Sequence, residues 1–339
     1  MSLPQTYKRA VFKELGHPLT VEDAPLKLPG TNELLIKVEA CGVCYSDMYS
    51  QYNGIGGGFP IVPGHEIIGK VSAVGNHVSN WSVGDRVGAG WHGGHDGTCK
   101  ACKKGWFQMC DNNVVNGATK EGGYAEYCII RAESAVRIPA NVDAATYAPL
   151  LCAGLTVFNS IRHMNIKAGE TVAIQGLGGL GHLAIQYAKH MKYRVIAISR
   201  GNHKEGAARE LGVDEFIDSS RGDAGEQLAA LGGAALAITT ASTEETITPL
   251  LKGLGILGKL LVLSFPNRIT LNPTDLLKYG LSVHFWPSGH HIDAEEAIQF
   301  AENNKIKSVI EKFPLSQAQQ AFDSMLGGKV RFRAVITMD

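Results

Sequence analysis

The sequence predicts an α/β fold in two parts, one β-rich and one built on a doubly wound parallel sheet. Three observations carry this prediction. Up to about Leu150 the chain reads as short strands separated by turns. From about Cys152 strand-like and helix-like segments alternate, the rhythm of a parallel sheet with crossover helices. At 339 residues, 45% of them hydrophobic, the chain is also too long for one ordinary core. Its 40 glycines suit tight turns and close backbone approaches rather than a helical bundle.

In the β-rich part, residues 34–40 alternate with β-favouring side chains. Residues 67–74 are a second strand candidate, followed by turn pairs at Gly75-Asn76 and Gly84-Asp85. In the alternating part, residues 171–175 are a short apolar run ending in glycines. Residues 180–191 have helical spacing, and 194–199 are the next apolar run. Residues 235–239 and 260–264 continue the strands, with helical stretches between. The C-terminal stretch carries helices near 294–303 and 317–325 and a terminal strand at 333–337. There is no internal repeat.

Lys+Arg and Asp+Glu number 32 each, so the formal net charge is zero. No single-sign field exists to attract nucleic acid or an anionic membrane. The start, MSLPQTYKRAVFKE, lacks the apolar core of a signal peptide, and no uninterrupted apolar stretch reaches spanning length. A cytoplasmic protein is expected. In a reducing compartment the seven cysteines argue against disulfides, and their partial clustering points to thiolate chemistry.

Gly176-Leu177-Gly178-Gly179-Leu180-Gly181 matches G-x-G-x-x-G, directly after a strand candidate and at the start of a helix. In that context the glycines allow a tight turn, and a pyrophosphate rests on free N–H groups at the helix start. The next strand ends in Ser199-Arg200, with Lys204 shortly after, where an NAD site usually offers a carboxylate. A hydroxyl and two cations suit the 2′-phosphate of NADP(H) instead. The competing reading makes Arg200 and Lys204 solvated surface charges.

Cys41-Gly42-Val43-Cys44-Tyr45-Ser46-Asp47, Gly64-His65-Glu66 and Leu151-Cys152-Ala153-Gly154 resemble the signatures of zinc-dependent alcohol dehydrogenases of the medium-chain dehydrogenase/reductase family. The resemblance runs in order along essentially the whole chain and is nearest to the short microbial type, with cinnamyl-alcohol-dehydrogenase-like traits around the glycine turn. It implies a GroES-like catalytic domain over residues 1–151 and 288–339 and a Rossmann domain over 152–287. It makes Cys44, His65 and Cys152 the catalytic zinc ligands, Glu66 a carboxylate that coordinates transiently, and Asp47 the partner of His65. Two thiolates and an imidazole leave one tetrahedral position open for water or an alcohol oxygen. Cys41 is then a small buried side chain.

The family's structural-zinc lobe carries four cysteines; here the register gives Asp96, Cys99, Cys102 and Cys110. A carboxylate replaces one thiolate, which zinc accepts. His92 and His95 lie close enough in sequence to compete as fourth ligand, and a metal-free lobe with three reduced cysteines is the alternative. By the same resemblance Ser46 hands on the proton, and Tyr49 stands where many relatives place the next relay histidine. Tyr45 faces the pyrophosphate or simply packs, and Gly289 joins the cofactor site. Trp91 lines the inner substrate pocket or serves as a core tryptophan. Phe285 and Trp286 line the outer pocket or a subunit contact, since relatives pair that strand across a two-fold axis.

The expected activity is hydride transfer between NADP(H) and a primary alcohol/aldehyde pair by a homodimer or homotetramer. Zinc would acidify the alcohol in oxidation and polarise the aldehyde in reduction. Two alternatives remain open: a non-redox family member catalysing cyclisation or addition, and a catalytically silent nucleotide-binding protein.

Overall fold

The computed structural model describes residues 3–338. Contacts divide the chain into two units. One runs up to Leu155 and resumes with Gly289–Glu302 and from Lys307 onward; the other comprises Thr156–Ser288 and Asn303–Ile306.

The first unit is built around the strand Glu33–Val43. It pairs antiparallel with Ile67–Val74, with Tyr127–Arg131 along its first half, and with Arg333–Thr337 along its last. Its pairing with Ile67–Val74 shifts register twice, between Leu35 and Ile36 and between Val38 and Ala40. Its last four residues, Ala40 to Val43, are all buried. Arg86–Ala89 extends the sheet beyond Ile67–Val74, and Ile310–Pro314 runs parallel to the C-terminal strand at the other end. A core of Phe12, Leu34, Ile36, Ile67, Tyr124, Ile130 and Phe322 fills the space beneath. A separate hairpin pairs Thr6–Val11 with Thr20–Pro25.

The second unit holds a six-stranded parallel sheet in the spatial order Glu215–Asp218, Arg194–Ser199, Thr171–Gln175, Ala234–Thr239, Leu254–Val262, Ser282–Phe285. Numbered along this unit, the order is 3-2-1-4-5-6, the doubly wound arrangement whose topology reverses beside its first strand. That strand, TVAIQ, is buried from its second residue on, and so reads as a continuous apolar run rather than an alternation. The glycine turn leaves its C-terminal end at the switch point, and the helix Gly181–His190 follows. Among the described residues no single helix is long and apolar enough to cross a membrane.

Candidate metal centre and cofactor turn

Three segments of the first unit deliver the candidate ligands. Cys44 follows the end of the strand Glu33–Val43 in extended conformation and opens a short 3-10 helix, Tyr45–Asp47. The spacing C-x-x-D lets the Asp47 carboxylate reach back, and its Oδ2 accepts the Cys44 N–H at 2.9 Å. His65 lies just before the strand Ile67–Val74. Cys152 terminates the 3-10 turn Ala148–Leu151, immediately before the helix Ala153–His163.

These residues converge. One ligand atom each from Cys44, His65, Glu66 and Cys152 lies within 4.8 Å of all the others. The two sulfurs are 3.8 Å apart, matching the edge of about 3.8 Å expected of a tetrahedron with ~2.3 Å zinc–sulfur bonds. His65 turns Nδ1 to Asp47 Oδ1 at 3.0 Å, while its Nε2 is buried without a hydrogen-bond partner. A buried ring nitrogen left bare beside two thiols fits a bound cation.

The electrostatics point the same way. Cys44 is held well below the usual thiol range, first by its hydrogen bond with Cys152, against burial, with the His65 charge helping. Cys152, the other partner in that contact and buried as well, is pushed well above it. Burial alone would lower His65, but the charges of Asp47 and Cys44 outweigh it and raise its pKa. Glu66 titrates at about 7, raised by burial and partly restrained by the Arg333 guanidinium, to which its Oε1 is paired. A divalent cation would displace the protons held here and bind the thiolates and the neutral imidazole.

The ring of Trp91 stands edge-on to His65, 4.8 Å between centroids. Ser46 is half-buried on the same short helix as Asp47. Tyr49 is half-buried, its phenol pushed up by burial and by neighbouring Tyr45, which is exposed. Cys41 is fully buried and its thiol raised by burial, as a packing residue would be.

In the second lobe, the clustered ligand atoms belong to Asp96, Cys99, Cys102 and Cys110. Cys99 and Cys110 sulfurs are 3.9 Å apart, and backbone N–H groups of Asp96 and Asn112 donate to the Cys110 sulfur. The Asp96 carboxylate is held low by the N–H of Cys99 and by Asn112. The neighbouring histidines point elsewhere: His95 Nδ1 meets His92 Nε2 at 3.2 Å, and the His95 ring stacks on Phe107.

In the second unit the glycines of the turn differ in their surroundings. Gly176 has φ +94°, and a Cβ there would lie 2.3 Å from the Thr240 hydroxyl. At Gly181 a Cβ would sit 1.8 Å from the Gly176 carbonyl oxygen, whereas around Gly178 there is open space. Gly179 and Leu180 lie between, and no side chain caps the helix start after Leu180. Ser199 ends the second strand, Arg200 is exposed, and the Lys204 ammonium donates to the Leu177 carbonyl at 3.0 Å. Asp218, on the neighbouring strand, accepts the Gly201 N–H and shapes this loop. Phe285 is 57% exposed on the edge strand, Trp286 stacks on His163 at 4.3 Å, and Gly289 begins the return to the first unit.

Residues 30–140 match the alcohol dehydrogenase GroES-like domain, and residues 179–303 the zinc-binding dehydrogenase domain. Alcohol dehydrogenase notN of Aspergillus sp. (strain MF297-2) is 84% identical over 339 residues, all of both chains. The chain belongs to the zinc-type alcohol dehydrogenases of the medium-chain dehydrogenase/reductase family. Its chemistry is accordingly that of an alcohol dehydrogenase, an oxidoreductase of small-molecule alcohol/carbonyl pairs. Similar solved structures carry either nicotinamide cofactor. CAD from Helicobacter pylori, complexed with NADP(H), is 26% identical with a TM-score of 0.87, covering 98% of each chain. Acetophenone reductase from Geotrichum candidum, in complex with NAD, is 27% identical with a TM-score of 0.86, covering 99% of this chain and 98% of that one.

Sequence reasoning missed Arg333, which lies 5% exposed against Glu66, and Tyr124, fully buried behind Asp47. The available signals were an arginine opening the strand RAVIT, directly before three apolar residues, and a tyrosine directly after two glycines.

Proposed function

We propose that this enzyme is a zinc-dependent, NADP(H)-preferring alcohol dehydrogenase acting on a primary alcohol/aldehyde pair. Cys44, His65 and Cys152 are its catalytic metal ligands; Asp96, Cys99, Cys102 and Cys110 hold a structural zinc. The observation that carries this reading is the convergence of two thiols, a bare imidazole nitrogen and a carboxylate from three remote segments.

When bound, zinc supplies Lewis acidity at the substrate oxygen. The protein's own residues do the rest. Asp47 orients the His65 ring by facing its Nδ1 with Oδ1 at 3.0 Å. Trp91 walls the pocket beside His65 and excludes water. Ser46 passes the substrate hydroxyl proton toward Tyr49 and solvent during oxidation and returns it during reduction. Bound NADPH would supply the hydride for the aldehyde carbon, and the proton for its oxygen would arrive through Ser46.

Support for NADP(H) lies in the strand end Ser199-Arg200, which offers no carboxylate, and in Lys204, tethered to the glycine turn at Leu177. The open space at Gly178 leaves room for the pyrophosphate. The edge position of Ser282–Phe285 supports assembly into a homodimer or homotetramer, and the chain is read as cytoplasmic.

An aldehyde panel run with NADPH and NADH tests the reading. Turnover is expected with NADPH and is expected to stop on metal chelation; conversion without nicotinamide consumption would reject it. Arg200→Ala should weaken NADPH far more than NADH, and equal losses would reject the phosphate clamp. Asp96→Ala should lower bound zinc by about one per chain, one ligand of four being lost.

A further inference from the structure

The candidate ligands stand on a second layer of contacts, and one member reaches them from a segment that no motif joined to the site. Asp47 is 1% exposed and touches two ligand residues at once: Oδ1 lies 3.0 Å from His65 Nδ1, and Oδ2 accepts the Cys44 N–H. The same Oδ2 also accepts the hydroxyl of Tyr124 at 2.7 Å. Tyr124 is fully buried, and its backbone is stitched to the segment that carries His65. Its N–H donates to the Pro63 carbonyl at 3.1 Å, and the Gly123 N–H donates to that of Gly64 at 2.9 Å. The ring lies against Gly64, where a Cβ would come within 2.4 Å of it.

We infer that Tyr124 is a positioning residue of the metal centre, its hydroxyl locking the Asp47 carboxylate in the orientation that presets both His65 and Cys44. A carboxylate turns easily about its terminal torsion, which has broad preferences. Two donors on Oδ2, with the His65 ring 3.0 Å from Oδ1, oppose that rotation. Packing alone would not require the hydroxyl, because burying it costs free energy unless it is bonded. Burial beside Asp47 raises the phenol well above its usual range, so it remains a donor. Outer-layer partners of a ligating histidine are typically worth ~10–100-fold in metal affinity.

This inference rests on the reading of Cys44, His65 and Cys152 as zinc ligands, and the experiment separates the two. Full-length zinc-loaded wild type, Tyr124→Phe, Asp47→Asn and the double variant are mixed with a chromophoric chelator. Zinc release is followed by absorbance, and loss of NADPH turnover alongside it. The release phase that coincides with lost turnover reports this site; the other reports the Asp96 lobe and serves as the folding control. Tyr124→Phe, which keeps the ring, is expected to speed the first phase about tenfold and leave the second unchanged. The double variant should release no faster than Asp47→Asn alone. A wild-type rate in Tyr124→Phe, equal acceleration of both phases, or multiplying effects in the double variant would overturn the role of Tyr124. If wild-type turnover is lost with no zinc phase accompanying it, the metal reading fails instead.

Discussion

Replacing Arg333 by Met should expose how the first unit tolerates a carboxylate in its interior. Glu66 is fully buried, its Oε1 is paired to the Arg333 guanidinium, and its Oε2 has no hydrogen-bond partner. The carboxyl already titrates at about 7 with the arginine present, because burial outweighs the cation. Removing one partner of a buried pair costs about 3–5 kcal/mol, since the other charge is left uncompensated. The cost should depend on pH. A carboxyl whose folded pKa lies above its unfolded value contributes stability that is complete below the unfolded pKa and is lost as pH rises through the folded one. Without Arg333 the folded pKa climbs further, so the deficit of the variant should widen by up to ~1.4 kcal/mol per pH unit above pH 7. Adding Glu66→Gln should recover most of the loss by removing the charge. Urea midpoints at constant slope, followed by tryptophan fluorescence, give the numbers, because three of the four tryptophans (Trp81, Trp91 and Trp106) lie in this unit. A loss unchanged by Glu66→Gln and flat from pH 6 to 9 would mean that the buried Glu66 charge is not what Arg333 compensates.

The two glycines of the turn should separate. Gly178→Ala, entering open space, should leave the melting temperature unchanged but weaken NADPH binding by about tenfold, a pyrophosphate contact being blocked. Gly181→Ala, whose Cβ would lie 1.8 Å from the Gly176 carbonyl, should lower the melting temperature itself. Acid should loosen the first unit through its histidines: burial, then the charge of His95, drives His92 down to about 3, and burial drives His291 down to about 4. With folded pKa values below the unfolded value near 6.5, this stability is present above that pH and lost as pH falls toward 4. Urea midpoints between pH 8 and 4.5 should therefore drop, less so in His92→Phe, and a flat profile would contradict this.

What could be read without coordinates divides along physical lines. The strands Thr171–Gln175, Arg194–Ser199 and Arg333–Thr337 match the expected bounds because each is an apolar run cut off sharply by polar residues or glycine. The strand expected at 260–264 begins instead at Leu254. Its first half is irregular: the register shifts opposite Ala234–Leu236, and Leu257 takes φ +59°. Ile256 and Leu257 are exposed there, so no periodic signal exists. The hairpin of Thr6–Val11 and Thr20–Pro25 was invisible because charged residues pair across it, Lys8 with Asp23 and Arg9 with Glu22. Spacing could suggest the Asp96–Cys110 lobe, whose candidates are close in sequence. It could not join Cys44, His65 and Cys152, which only the family resemblance connected. Arg333 and Tyr124 carried only faint local signals, since each acts on one residue more than 70 positions away.

Anomalous diffraction at the zinc absorption edge, from crystals of the enzyme purified without added metal, locates the metal itself. One strong peak is expected within bonding distance of the Cys44 and Cys152 sulfurs and His65 Nε2, and a second among Asp96, Cys99, Cys102 and Cys110. Active enzyme whose map shows no peak between Cys44, His65 and Cys152 would contradict this expectation.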